Sequence, residues 1–287
     1  MALDIIVVNY NSGEYILSCL KSIYQQDNSR DYRVTVFDNA SADGSLARAR
    51  RFYPDADFES SPTNLGFARA VNYVLKRTDA PYALLVNPDV VVLPGTIDRM
   101  HDFMEKNSSC GILGAEILNA DGITQPTCRR FPTYYNMVFG RRSIFRRLLP
   151  NNPVTRQYLY LDLDRKKPQK VDFLEGSLMM IRRRALADTG LLDEDFFLYM
   201  EDADLCLRMA KRGWETWWLP KAYAIHFRGE NFRKDNIRPM RHHSQGIYKF
   251  FLKHRRPGAL PRALLKLSLF LRLGYLLGTE FAKKGIT

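Results

Sequence analysis

Residues 81–92 read PYALLVNPDVVV. The run PYALLV is short, continuous and apolar, which is the pattern of a buried strand. Asn87-Pro88-Asp89 interrupts it with a turn, so a carboxylate stands immediately beyond the end of a buried strand. Working outward, DIIVV at 4–8 and YRVTVF at 32–37 are two more strands of the same kind, and a shorter one is expected near 56–59. Ile16, Leu20 and Ile23 share one face of a helix over 13–26. Ser41 and Asp43 can cap a helix over 44–53, Phe67 to Lys76 forms another, and Pro94 opens one that runs to about Lys106. Strand–helix alternation of this kind predicts a doubly wound, mostly parallel α/β sheet. Such sheets bind ligands beyond the carboxyl ends of their strands, where the winding reverses. The polar residues just past these strands fit that rule: Asn9 and Asn11, Asp38 and Asn39, Asn87 and Asp89.

The second half is less regular. Residues 128–170 are basic and aromatic and carry Pro132, Pro150, Pro153 and Pro168, the composition of an inserted lid or acceptor-binding segment. A strand is expected at 177–181 (SLMMI), a helix at 202–212, a strand at 214–219 (WETWWL) and a helix from Asn236 to Arg256. The tail from Pro261 to about Lys284 contains LLKLSLFLRLGYLLG, and Arg262, Lys266 and Arg272 interrupt its apolar run. A spanning helix wants about 20 mostly apolar residues, so the tail reads either as an interfacial helix at a membrane surface or as a helix packed on its own domain or on a second subunit, as in a homodimer. The organisation is therefore one domain over 1–257, with 128–170 inserted in it, and a basic apolar helix over 258–287.

The 287 residues give room for one large α/β domain. The four cysteines, Cys19, Cys110, Cys128 and Cys206, form no CxxC pair, which argues against a zinc knuckle or disulfide framework and suits a reducing cytoplasm. MALDIIVVNYN shows neither a basic n-region nor a long apolar h-region, so no signal peptide is expected. The net charge of +12 is unevenly spread. Residues 128–170 hold eleven Lys/Arg against two acids, and residues 228–287 hold fourteen against three, so an acidic body carries two basic regions. That pattern fits either a solvated surface or an anionic partner: nucleic acid, a diphosphate or a membrane surface.

Four groups of residues can carry chemistry. Asp38 can accept a hydrogen bond from the N3–H of uracil or thymine, or simply cap a loop. Asp89 can bind Mg²⁺ or Mn²⁺ between two phosphates, although NPD is also a common turn. Glu201, Asp202 and Asp204 put three acids at a helix start, where the dipole favours them. They adjoin the apolar run DFFLYM, so desolvation should raise their proton affinity. His226 can complete a metal site as neutral imidazole, or be structural.

Taken together, VVNYN at 7–11, FDNASADGS at 37–45, NLGFARAVN at 64–72, LLVNPDVVV at 84–92 and GSLMMIRR at 176–183, followed by GLLDEDFFLYMEDADLCLRMAKRGW at 190–214, resemble the family-two inverting glycosyltransferases of GT-A fold over most of residues 4–228. The resemblance implies roles residue by residue. Asn9, Asn11, Asp38, Asn64, Gly66 and Asn87 would bind the nucleotide-sugar donor, a dTDP- or UDP-sugar. Asp89, with His226, would hold the metal, and Asp202 would be the general base. Glu175, Gly176 and Glu201 would line the acceptor side. The usual first acid of the metal motif is Asn87 here, which removes one anionic ligand. CRRFPT at 128–133 resembles a stretch in bacterial rhamnosyltransferases that use dTDP-L-rhamnose, and Arg129 and Arg130 would then pair with a diphosphate. That implies a saccharide acceptor, carried on a diphospholipid or free as an oligosaccharide, and peripheral contact at the inner face of the cell membrane. A sugar nucleotidyltransferase would want a Gly-rich loop with a basic residue after the first strand, and NYNSGE at 9–14 has neither. No nucleic-acid recognition motif is present, so nucleic acid is not an expected partner. A non-catalytic family member stays open because of Asn87.

Overall fold

The computed structural model describes residues 2–26, 31–134, 153–227 and 237–284. Residues 135–152 of the basic insert and 285–287 of the tail lie outside them. The strands are β1 (Leu3–Asn9), β2 (Tyr32–Asp38), β3 (Asp57–Ser60), β4 (Tyr82–Val86), β5 (Val90–Val92), β6 (Cys110–Leu118), β7 (Cys128–Arg129), β8 (Gln169–Lys170), β9 (Phe173–Leu174), β10 (Leu178–Arg182) and β11 (Glu215–His226). The helices are α1 (Tyr15–Tyr24), α2 (Ser45–Phe52), α3 (Phe67–Leu75), α4 (Thr96–Lys106), α5 (Pro153–Tyr158), α6 (Arg183–Thr189), α7 (Glu201–Lys211), α8 (Ile237–Arg255) and α9 (Ala259–Lys284).

The main sheet runs β3-β2-β1-β4-β10-β6-β11-β5, with β8 on β11. β3, β2, β1 and β4 are parallel, as are β6 and β11. β10 enters antiparallel between β4 and β6. The continuous apolar strands follow from burial on both faces. Ile6 and Val8 pack with α3, α6, α7 and α8 on one side, while Ile5 and Val7 pack with α1, α2 and α4 on the other. Successive side chains of a strand alternate faces, so a strand covered twice is apolar at successive positions and not at alternate ones.

Three departures from the sequence reading matter for the site. β6, with its sequence CGILGAEIL, and the three-residue β5 were not anticipated as strands. The strand expected to stop at 219 runs on to His226. Its register with β6 shifts between Leu219 and Tyr223, across Pro220 and a left-handed Lys221 (φ 69°), so a bulge only looks like an end. After the bulge β11 pairs with β5, His226 opposite Val90.

Candidate functional site

The first group of candidate residues is built at the parallel ends of β1 and β2, where Asn9 lies in register with Asp38. Both are buried. Asn9 Nδ2 donates to Asp38 Oδ1 at 2.7 Å and to Ser45 Oγ at 2.9 Å. The Ser41 amide donates to Asp38 Oδ2 at 2.9 Å, and Ser12 donates to Asn9 Oδ1. Asn11 sits at φ 49° and accepts from the Ala42 amide at 2.8 Å. These bonds tie the two loops into one rigid floor, and Asp38 is part of that floor as well as its carboxylate. Asn39, next along, holds the following loop: its Oδ1 accepts from the Leu65 amide at 2.7 Å and its Nδ2 donates to the Gly66 carbonyl at 3.2 Å. Asn64 Oδ1 accepts from the Gly66 amide at 2.9 Å. Gly66 has φ 83°, and a Cβ there would stand 2.5 Å from the Phe197 carbonyl. Only glycine allows that approach, and the Phe67 amide donates to the same carbonyl at 2.8 Å. The Asn-x-Gly-Phe segment is thereby clasped to the loop that leads into α7.

The NPD turn and the end of β11 meet as the bulge directs. His226 Nε2 lies 3.3 Å from Asp89 Oδ1, and both side chains are about one-sixth exposed (15% and 16%). The Phe227 amide donates to the Asp89 carbonyl at 3.0 Å, and Gln125 Nε2 donates to the His226 carbonyl at 2.7 Å, fixing both backbones. A carboxylate and an imidazole side by side are an apt pair of donors for Mg²⁺ or Mn²⁺. No cluster of three or more such side chains occurs among the described residues.

The 175–177 turn couples this region to α7. Asn87 N donates to the Ser177 carbonyl at 3.0 Å, and Gly176 N donates to Asp202 Oδ2 at 3.1 Å. Asp202 Oδ1 accepts from the Ala203 amide at 2.7 Å. Burial, together with the negative charge of Glu175, pushes the Asp202 carboxyl up to about 6, against the opposing pull of the two amides and Arg129. Glu201 is buried, with its pKa raised well above the ordinary value by desolvation and then by Asp202, and its Oε2 has no hydrogen-bond partner among the described residues. The approach to α7 is held by two consecutive left-handed residues, Tyr199 (φ 69°) and Met200 (φ 75°).

The Arg129–Arg130 doublet is divided at the end of β7, which closes on Arg129. Arg129 is buried and ion-paired to Glu175, beneath Asp202. Arg130 points the other way, 3.2 Å from Asp172 Oδ1 and over the Tyr160 ring at 4.3 Å. The structure adds a side chain that no local pattern announced. Burial raises the Tyr158 hydroxyl, and Arg129, Glu175, Arg272 and Asp202 all act on it electrostatically. The charge of Arg272, on α9, is thus felt at Tyr158. Asp204 belongs elsewhere: Arg208 Nε (2.8 Å), Lys253 Nζ (2.6 Å) and His254 Nε2 (2.7 Å) surround it and hold it down at about 2.

With this geometry in place, the comparisons with known proteins agree on the family. The model of glycosyl transferase family 2 matches residues 4–190, and that of glycosyl transferase family group 2 matches residues 131–281. The N-acetylglucosaminyl-diphospho-decaprenol L-rhamnosyltransferase of Mycobacterium tuberculosis is 31% identical, over 89% of this chain and 85% of that protein. Rhamnosyltransferase WbbL of Escherichia coli is 24% identical, over 88% and 93%. Among solved structures, a mannosyltransferase from Pyrobaculum calidifontis in complex with GDP-Man and Mn²⁺ superposes with a TM-score of 0.60 at 19% identity, over 98% of this chain and 73% of that one. GalNAc-T7 with UDP, GalNAc and Mn²⁺ gives 0.57 at 12% identity, over 79% and 44%. These structural likenesses show the GT-A fold. The matched family model and the 31% identical relative, both spanning most of the chain, establish that it belongs to glycosyl transferase family 2.

Proposed function

We propose that this chain transfers L-rhamnose from dTDP-L-rhamnose, with inversion, to a hydroxyl of a diphospholipid-linked saccharide in the assembly of a cell-surface polysaccharide. The observation that carries the chemistry is Asp202, a half-buried carboxylate raised to about 6 and anchored by Gly176, one residue before the Ser177 carbonyl that accepts from Asn87. A base with a pKa near the working pH is suited to accept a proton as it leaves a hydroxyl. The two relatives named as rhamnosyltransferases support the sugar, and the first of those names supports the acceptor class.

Asp38 and Asn9 present the floor on which a pyrimidine sits, the remaining lone pairs of Asp38 taking its N3–H. Asn11, Asn64, Gly66 and Asn87 frame ribose and diphosphate. The acceptor hydroxyl oxygen bonds to the anomeric carbon from the face opposite the nucleotide, its proton passes to Asp202, and the bond from the anomeric carbon to the diphosphate oxygen breaks. Glu175 and Arg129 hold Asp202 at its poise, the buried Glu201, its pKa raised by desolvation and by Asp202, lines the acceptor side, and Gly176 leaves room for the acceptor. Arg130, exposed beside Asp172, is available to an acceptor diphosphate. Asp89 and His226 would hold a divalent ion, Mg²⁺ or Mn²⁺, which supplies neutralising charge to the departing diphosphate.

The test is release of nucleoside diphosphate from dTDP-rhamnose, UDP-glucose, UDP-galactose and UDP-GlcNAc, with Mg²⁺ or Mn²⁺ and a diphospholipid-linked GlcNAc acceptor. Acceptor-dependent release from dTDP-rhamnose alone, lost in Asp202→Asn, is expected. Release from a UDP-hexose instead would reassign the donor, and equal turnover by the variant would overturn the base.

A further inference from the structure

The two faces of α9 differ in kind. Leu265 and Leu269 are buried in the core against α8, Arg262 donates to the Tyr248 hydroxyl at 3.0 Å, and Arg272 is half-buried beside Tyr158. Arg262 and Arg272 therefore lie on the side of the helix that meets the body, Arg262 at its exposed margin. On the opposite face Leu260, Leu264, Leu267 and Leu271 succeed one another at helical spacing, with Phe270 beside them, and all five are more than half exposed, Leu267 at 54% and Phe270 at 72%. A contiguous stripe of five large apolar side chains is not an ordinary water-facing surface.

Charge selects the occupant. Lys266 borders the stripe and is exposed, as are Arg255 and Arg256 at the turn that enters α9, and residues 228–287 carry fourteen basic residues against three acids. A second copy docking by the same face would bring two such segments together, which like charges oppose. An anionic lipid surface attracts them and takes the Leu/Phe stripe into its acyl boundary. No described helix is long and apolar enough to cross a membrane, so the geometry is one of lying on the surface.

We propose that α9 lies along the headgroup region of an anionic bilayer, with Leu260, Leu264, Leu267, Phe270 and Leu271 immersed and the sheet domain above it. This goes beyond the glycosyl-transfer reading and does not depend on it.

The full chain is floated with phosphatidylcholine vesicles with and without phosphatidylglycerol, alongside Leu267→Glu/Phe270→Glu. Both altered side chains are already exposed, so the melting temperature and donor turnover with a water-soluble acceptor should be unchanged. The parent chain is expected to float with the phosphatidylglycerol vesicles, less with phosphatidylcholine alone and less at high salt, and the variant to partition at least about tenfold less. Undiminished flotation of the variant overturns the proposal, as does a parent chain that floats with neither vesicle. A concentration-dependent dimer in light scattering, dissolved by the same substitutions, would instead assign the stripe to a second copy. Because turnover on a soluble acceptor is read in parallel, loss of the lipid proposal and loss of the enzymatic one are separate results.

Discussion

Asp202 and Asp204 stand two residues apart at the start of α7 and face opposite sides of it. A helix turns about 100° per residue, so the first carboxylate meets the Glu175–Gly176 turn while the second meets α8. Asp202 accepts two amides and is lifted to about 6 by burial and a neighbouring negative charge. Asp204 is set deeper but is enclosed by Arg208, Lys253 and His254, which bring it to about 2. Burial pushes both carboxyls up, and the sign of the surrounding charge decides where each ends. The same helix start thus offers one carboxylate placed to take a proton and another that binds two helices together.

Asp202→Asn should break the first side alone. Removing a general base costs about 10²- to 10⁴-fold in turnover, with donor affinity unchanged. A carboxyl raised from its ordinary 3.8 to about 6 opposes folding once the pH exceeds its unfolded value, because ionising it costs more in the folded chain. The variant should therefore melt no lower than the parent at pH 8, and a lower melting temperature would show that Asp202 is structural. Asp204→Ala should do the reverse. It leaves three cationic or protonatable groups facing one another without their anion, a loss of about 3–5 kcal/mol read as a fall in melting temperature. The stability that Asp204 contributes is present above pH 3.8 and lost as the pH falls toward about 2, so parent and variant should converge in acid.

That division was only partly legible in the sequence. The doubly wound frame could be read because β1, β2 and β4 are covered on both faces and so carry continuous apolar cores, Ile5–Val8, Val36–Phe37 and Ala83–Val86. β6 breaks its run with Gly111, Gly114 and Glu116, and the glycines are there because neighbours press on them: a Cβ at Gly114 would lie 2.6 Å from Leu174. β11 seemed to end where Pro220 and Lys221 form its bulge, and with the bulge went the reason His226 meets Asp89. The three acids of 201–204 were visible as a cluster, but their separation needed α8 in place, since Lys253 and His254 arrive from fifty residues along the chain. Arg129 and Arg130 looked like a pair, but β7 ends at Arg129, which is buried against Glu175, while Arg130 just beyond it is exposed beside Asp172. Tyr158 carried no local signal, because what marks it is the tertiary field of Arg129, Glu175 and Asp202, and Arg272 could be read only as a basic residue in an apolar tail.

Gly246 on α8 offers a smaller perturbation of the same comparison. A Cβ there would lie 2.7 Å from the Tyr199 carbonyl and 3.1 Å from Met200 Cγ, directly behind the two left-handed residues that launch α7. Alanine favours a helix by about 1 kcal/mol, but the clash is with backbone, which cannot rotate away. Gly246→Ala should therefore destabilise by about 1–3 kcal/mol and lower kcat more than it changes the KM for donor, because the displaced backbone precedes Asp202 and leaves the β1–β2 floor untouched. A variant that melts normally with full kcat would mean the Tyr199–Met200 turn can yield without moving the base.

The mildest test changes only the charge beside Asp202. If that carboxyl is the base, turnover falls as the pH drops through about 6, since the protonated form cannot accept a proton. Glu175 helps to hold the value up, while Arg129 pulls it down. Glu175→Gln keeps an oxygen for Arg129 to donate to but removes the negative charge, so Arg129 acts on Asp202 with less opposition. Both changes favour the ionised carboxylate, and the acid limb of the kcat/KM profile should move to lower pH. At pH 8, where Asp202 is ionised in parent and variant alike, the two rates should differ little. A limb that stays in place would show that another group sets it, and a limb that moves up would mean that Glu175 supports Asp202 by positioning it and not by its charge.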